Sequence, residues 1–270
     1  MADVLNSLSL AGVAASLCEV MGIEPPREAN PSLPQLIGLV KRQTRSGRVD
    51  RVFMYNPDAV ALWVYQKYTS FFDAAWDHAQ LALPLQSVMP SVTPVCFGTM
   101  YTGAYPEVHG IRRYEKPVIR IDTIFDALIR AGRRPVILGD PQCSLCHIFL
   151  ERDMDYFPIE GIDAINEKAM ALIEEDKYDF MVVYNGDFDA TMHKTGPESD
   201  ASLEALRGNV RSFDAFARAI RAQWTGHDTL LAFAMDHGCH EIDGGCGSHG
   251  LDMPEDLNIL HLYGVIPRAE

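Results

Sequence analysis

Three stretches of the chain set carboxylates close to imidazoles. FMVVYNGDFDATMHKTGP (180–197) runs an apolar segment into Asp187, Asp189 and His193. TLLAFAMDHG (229–238) ends in Asp236 and His237, and the loop beyond it carries His240, Asp243 and His249. Carboxylate and imidazole together suit zinc or a similar divalent ion, with bonds of roughly 2.0–2.2 Å. Asp189 and His193 are four apart and share one face of a helical turn, although Gly186 and Gly196-Pro197 leave little room for a stable helix, and an exposed ion pair fits that spacing equally well. Asp236 and His237 are adjacent and point to opposite faces of a strand, so both reach one ion only where the chain turns, which Gly238 permits. His249 lies between Gly247-Ser248 and Gly250, where backbone can pass close to a ligand. Hydroxyls come from PSVTP, where Ser91 and Thr93 enter a helix, and Asn56 and Asp58 follow another apolar run.

These residues sit at the ends of predicted strands. The apolar runs at 51–56, 81–89, 134–140, 179–185, 229–236 and 257–264 read as strands. Helical stretches are expected at 59–78, 122–132, 164–176 and about 202–224, with a short one from Pro90 to Gly103. Strands that are nearly continuously apolar and alternate with helices predict an α/β fold, a mostly parallel central sheet with helices on both faces. Ligands in such sheets bind beyond the carboxyl ends of the strands, where the acids, hydroxyls and imidazoles collect. Residues 1–48 read as two short helices around EPPREANPSLP, packed on a main domain of residues 49–270.

The 270 residues include 47% hydrophobic and 22% charged, an ordinary globular balance. A formal charge of −14 makes a nucleic-acid polymer or an anionic membrane a poor partner. A small anionic substrate stays open, because a bound cation inverts the local field. The N-terminus lacks a basic segment, no run approaches the ~20 apolar residues of a membrane helix, and six cysteines are too few for a disulfide scaffold. A cytoplasmic protein is expected, with a homo-oligomer left open.

SVMPSVTPVCFGTMYTGAYPEVHGI (87–111) resembles the nucleophile segment of the alkaline phosphatase superfamily, in particular its type I phosphodiesterase/nucleotide pyrophosphatase and phosphonoacetate hydrolase branches. Pro90, Thr93, Thr102-Gly103, Pro106 and His109-Gly110 stand at the matching spacing. The family's Asp-x-x-x-His falls on Asp189 and His193, its Asp-His-Gly on Asp236 to Gly238, and its late Gly-x-His-Gly on Gly247 to Gly250. The similarity spans about residues 50 to 264. It implies an alkaline-phosphatase-like fold without a separate cap domain and two divalent ions, zinc or manganese. One ion would be held by Asp189, His193 and His249, the other by Asp236, His237, Thr93 and a residue ending the first strand, taken as Asn56. Thr93 would attack phosphorus and form a phosphothreonine-type intermediate, and a water on the Asp189 side would release the product.

Two departures stand out. The family ends its first strand in a metal-binding Asp followed by Gly, where this chain has Asn56-Pro57, with Asp58 a candidate substitute by a shifted path. Three residues after the threonine the phosphodiesterases place a phosphate-binding Asn; Cys96 stands there, a poorer donor. The expected function is therefore a two-metal hydrolase of phosphoric esters, with a phosphonate (C–P) hydrolase or a metal-binding homologue of reduced catalysis as alternatives. A substrate would be a small phosphate- or phosphonate-bearing molecule, contacted by the loops at about 104–120, 141–160 and 238–248. Cys143-Ser-Leu-Cys146-His147 matches a haem-attachment pattern, which the absent export signal argues against. A Cys₄ zinc site with Cys239 and Cys246 has unsuitable spacing. His109 reads as structural, and Arg112, Arg113 and Lys116 as a solvated basic loop.

Overall fold

A computed structural model describes residues 4–269. Its centre is a seven-stranded sheet built from β1 (Arg51–Pro57), β2 (Leu81–Gln86), β3 (Pro135–Gly139), β4 (Asp155–Pro158), β5 (Phe180–Asn185), β6 (Thr229–Ala234) and, last in the chain, a long strand at Asn258–Ile266. Between β6 and that strand a small hairpin forms from β7 (His240–Ile242) and β8 (Cys246–Ser248), so the closing strand is β9. The sheet order is β2-β9-β6-β1-β5-β3-β4. Neighbours run parallel from β6 to β4, and β9 lies antiparallel to both β6 and β2.

The sequence explains this layering. Every residue of β1, β3, β5 and β6 is buried, as strands covered by helices on both faces must be. Pro84 removes a backbone donor from β2, which the sheet accommodates because β2 is an edge. The 24-residue helix Asp200–Gln223 is amphipathic and packs Phe213 and Phe216 against Tyr55 of β1. Helices Val13–Met21 and Pro34–Gln43 contribute Leu17, Val20, Leu36 and Val40 to the same core. The start of the segment read as the first of these helices, residues 1–3, lies outside the described residues.

Several boundaries move. The expected helix at 59–78 is three short pieces, Leu62–Lys67, a 3₁₀ turn Thr69–Phe72 and Asp73–Trp76. Tyr68, at φ −116° and ψ 37°, ends the first of them. Asp187–Thr195 is a helix, contrary to the reading of its flanking glycines. Gly186 and Gly196 bracket it instead of breaking it: Asn185 Oδ1 accepts from the Asp187 N–H at 3.0 Å, and Gly196 leaves at φ 83°. Edge strand β4 carries too little apolar pattern to be seen in the sequence.

Candidate metal centre

The central trio β5-β1-β6 delivers the chemistry. Parallel register sets Asn56 beside Tyr184 and Tyr55 beside Phe233, so the chain leaves all three strands at one level. Asp58 follows β1, Asp189 follows β5 on the helix Asp187–Thr195, and Asp236-His237 follow β6. Two groups of three potential ligands result, Asp58–Asp236–His237 and Asp189–His193–His249, each with its ligand atoms within 4.8 Å of one another. The rings of His237 and His249 lie 4.1 Å apart between centroids, so the groups adjoin.

The first group is wholly buried. His237 Nε2 lies 3.3 Å from Asp58 Oδ1 and 3.3 Å from Asp236 Oδ2. Its Nδ1 is 2.9 Å from the Gly238 carbonyl oxygen, to which it donates, leaving the Nε2 lone pair facing the carboxylates. Asp236 Oδ1 accepts from the backbone N–H of Ala59, and Asp58 from the Tyr184 hydroxyl. Burial, and next to it the charge of Asp189, pushes the Asp58 carboxyl up to about 7. Burial and Asp58 raise Asp236 well above the carboxylate range, while burial lowers His237 to about 3. These surroundings favour neutral groups, which a divalent cation would reverse.

The second group is more open. His193 Nε2 and His249 Nε2 stand 3.1 Å apart and lie 3.2 and 3.4 Å from Asp189 Oδ1. His193 Nδ1 is held by the Gly247 carbonyl and His249 Nδ1 by that of Ser91, each at 3.0 Å. Both Nδ1 atoms then carry the protons, and two lone pairs and a carboxylate oxygen converge on one point. Burial pushes Asp189 up, but the imidazoles beside it outweigh that, and its pKa falls below the ordinary value. Asp189 raises His193, and it raises His249 against the effect of burial.

Each group holds a buried carboxylate oxygen without a hydrogen-bond partner, Asp189 Oδ1 in one and Asp236 Oδ2 in the other. An unpartnered buried carboxylate oxygen is costly, and a cation is the partner that these donor sets fit. Thr93 opens the helix Thr93–Thr102 beside the first group. Its Oγ1 lies 3.3 Å from Asp58 Oδ2 and 3.3 Å from His237 Nε2. Thr93, Asp58 and Asp189 together line a cavity of about 320 Å³, walled further by Tyr114, Lys116 and Cys143.

The expected ligands Asp189, His193, His249, Asp236 and His237 are thus brought together with Thr93, and Asn56 is not. Asn56 points into the protein: its amide donates to the Ala234 carbonyl at 2.7 Å, and its Oδ1 accepts from Tyr101. Asp58 stands with Asp236 and His237 where Asn56 was expected. Pro57 carries the chain two residues further, and Ala59 follows at φ 62°, a left-handed conformation that glycine would adopt without strain. The matching signal was Asp58-Ala59 in place of Asp-Gly. Cys96 cannot meet a substrate either, since it is fully buried and its sulfur accepts from Ser87.

Gly238 and Gly247 serve purposes other than those expected. A Cβ at Gly238 would strike the Glu255 carbonyl oxygen, and one at Gly247 would lie 2.8 Å from that of Met192. Both allow backbones to touch. His240 pairs with Asp256 at 2.7 Å, apart from both groups, and His109 bonds Thr99 inside the turn, as its structural reading implied. Tyr184, a donor to Asp58, was not anticipated, because its burial at a strand end has no mark in the sequence. Of the three loops expected to meet a substrate, 104–120 and 141–160 line the cavity and 238–248 does not.

The model of the type I phosphodiesterase/nucleotide pyrophosphatase family matches residues 56–116, which include Asp58 and Thr93. Murine ectonucleotide pyrophosphatase/phosphodiesterase 5 superposes with a TM-score of 0.58 at 16% identity, over 72% of this chain and 58% of that one. The fold is that of a nucleotide pyrophosphatase/phosphodiesterase. An inactive threonine-to-alanine variant of the murine protein in complex with AMP gives 0.56 at 15% identity, over 72% of this chain and 59% of that one. The human protein gives 0.57 at 14%, over 72% and 58%. The chain therefore corresponds to under two thirds of these phosphodiesterases. No curated protein sequence matches it. Among the described residues no helix is long and apolar enough to cross a membrane.

Proposed function

We propose that the chain is a two-metal hydrolase of phosphoric esters that works through Thr93. The observation that carries this reading is the pair of unpartnered carboxylate oxygens, Asp189 Oδ1 and Asp236 Oδ2, one in each ligand group beside a single threonine. Asp189, His193 and His249 would hold one ion, and Asp58, Asp236, His237 and Thr93 the other, with zinc favoured by the imidazole-rich donors and manganese second. Two divalent ions, when bound, lower the pKa of a hydroxyl or water and neutralise charge gathering on a phosphoryl group. Thr93 Oγ1, already hydrogen-bonded to Asp58, is placed to attack phosphorus, forming a threonyl phosphoester as the leaving alcohol departs. Water then hydrolyses that ester on the side of the open group, and Thr93 recovers its proton. Tyr184 orients Asp58, and Gly238, Gly247 and Ser91 carbonyls orient the three imidazoles.

Nucleotide esters are the favoured substrate class, in line with the family match and with the AMP complex of the murine relative. The weakened-catalysis reading loses one of its two grounds, since Asp58 would supply the carboxylate that Asn56 lacks, while the buried Cys96 still provides no donor to a phosphate. Residues 49–270 would form the catalytic unit, with 1–48 a helical brace upon it. A reducing, cytoplasmic setting belongs to this reading on the modest cysteine content of the sequence, and cell fractionation can check it. The decisive experiment is Thr93→Ala assayed on p-nitrophenyl phosphodiesters with added zinc or manganese. Turnover should fall by two orders of magnitude or more, on the order expected for a lost nucleophile, with about two ions per chain retained. Unchanged turnover would refute the role of Thr93.

A further inference from the structure

One motif stays unused by this chemistry. Cys143 and Cys146 flank the start of the short helix Ser144–Ile148, immediately after β3. Cys143 Sγ accepts from the Cys146 N–H at 3.4 Å. Both sulfurs face the space beside Gly139, since a Cβ there would lie 2.8 Å from Cys143 Sγ and 3.5 Å from Cys146 Sγ. The glycine leaves a slot into which both thiols turn. The same virtual atom would lie 3.3 Å from Cβ of Tyr184, whose hydroxyl donates to Asp58.

Other fates for the pair are closed off. Among the described residues the groupings able to hold a metal are the two already described, and neither includes a cysteine. The other two thiols once considered with this pair are engaged elsewhere: Cys246 Sγ faces the Lys194 carbonyl at 3.7 Å, and Cys239 is fully buried. Cys143 lines the cavity that holds Thr93, so a small solute that enters this space comes up against this residue.

We propose that Cys143 and Cys146 form a reversible disulfide, a modification site on the wall of the substrate cavity. The consequence for turnover rests on the hydrolase reading; the disulfide itself does not. Hydrogen peroxide is the oxidant class that the cavity admits. Thiolate sulfur of Cys143 attacks one peroxide oxygen, the O–O bond breaks, and the departing hydroxide takes up a proton as water. The sulfenic acid so formed is attacked by Cys146 sulfur, the S–O bond breaks, and a second water leaves with the remaining thiol proton. Two thiols are oxidised by two electrons and one peroxide is reduced to two waters. The contact with Cys146, and next to it burial, holds the Cys143 thiol protonated, so the first step is slow and the second, between adjacent sulfurs, is fast.

The test uses the full chain, loaded with zinc and treated with peroxide, then alkylated under denaturing conditions and mapped by mass. The peptide carrying 143–146 should lose two hydrogen masses and accept no alkyl group, and dithiothreitol should restore both thiols. Two alkylated thiols after treatment, over-oxidation of Cys143 without a link, or a link to another cysteine would overturn the proposal. Cys146→Ser should block the link and leave Cys143 open to over-oxidation. The oxidised chain should also show a KM raised at least several-fold, with its metal content unchanged; an identical KM would remove the cavity-wall role. Absence of turnover in both states would count against the hydrolase reading, while the mass map still decides the disulfide.

Discussion

The two ligand groups solve the same problem under opposite conditions. Asp58, Asp236 and His237 are closed off from solvent, and their surroundings drive all three towards neutrality. Asp189, His193 and His249 are only partly buried, and there the carboxylate stays charged and the imidazoles become more basic. A buried site resists being charged until its cation arrives, so its ion should bind slowly and leave slowly. The open site is ready-charged, and exchange there should be faster. The difference lies in burial and in the donors, two carboxylates with one imidazole in the closed group against one carboxylate with two imidazoles in the open one.

The sharpest way to break this contrast is to remove one ligand from each side. Asp58→Ala and His193→Ala should each lose about one ion per chain by elemental analysis, with turnover down on the order of a hundredfold or more. Chelation comes next. Stripping both ions should lower unfolding stability by about 3 kcal/mol for each site that had stood near a hundred times its Kd, read from denaturant melts. Asp236→Asn sharpens the comparison, because Asn keeps the acceptor for Ala59 and removes a carboxyl whose ionisation burial opposes. The metal-free variant should be more stable than metal-free wild type, while the gain on adding zinc shrinks. Equal stability of the two metal-free proteins would show that burial is not what separates the groups.

Asn56→Asp should act in the other direction from a ligand repair. Its carboxylate would face the Ala234 carbonyl, losing the donor there, at a cost of about 1–3 kcal/mol and with no additional ion bound. The smallest effect is expected from Ala59→Gly. Relief at φ 62° is offset by lost burial and by a freer unfolded chain, leaving a change of less than about 1 kcal/mol.

Much of this was legible in the residues. Strands buried on both faces announce themselves as apolar runs, and β1, β5 and β6 fall where those runs lie. Asp189, His193, Asp236, His237, His249 and Thr93 keep spacings that the family pattern makes readable. What misled was a two-residue shift: Asn56 occupies the expected end of the strand, and the lengthened β1 that carries the ligand on to Asp58 depends on tertiary pairing with Asn185. The helix after β5 was hidden for a related reason, because a glycine on each side looks like a break until the capping partners are known. Cys96 was misjudged on side-chain chemistry alone, and only packing reveals that it never reaches the cavity.

The closeness of Gly247 to Met192 has a further bearing. The hairpin β7–β8 contributes none of the ligands on its two strands, yet its Gly247 carbonyl fixes the ring plane of His193. Insertions at the hairpin tip would therefore be expected to turn the His193 ring, and with it any ion that His193 holds, while leaving the proposed ligands themselves unchanged. Divergence in metal preference among relatives of this chain would then be written in a surface ribbon, far from where a motif search looks.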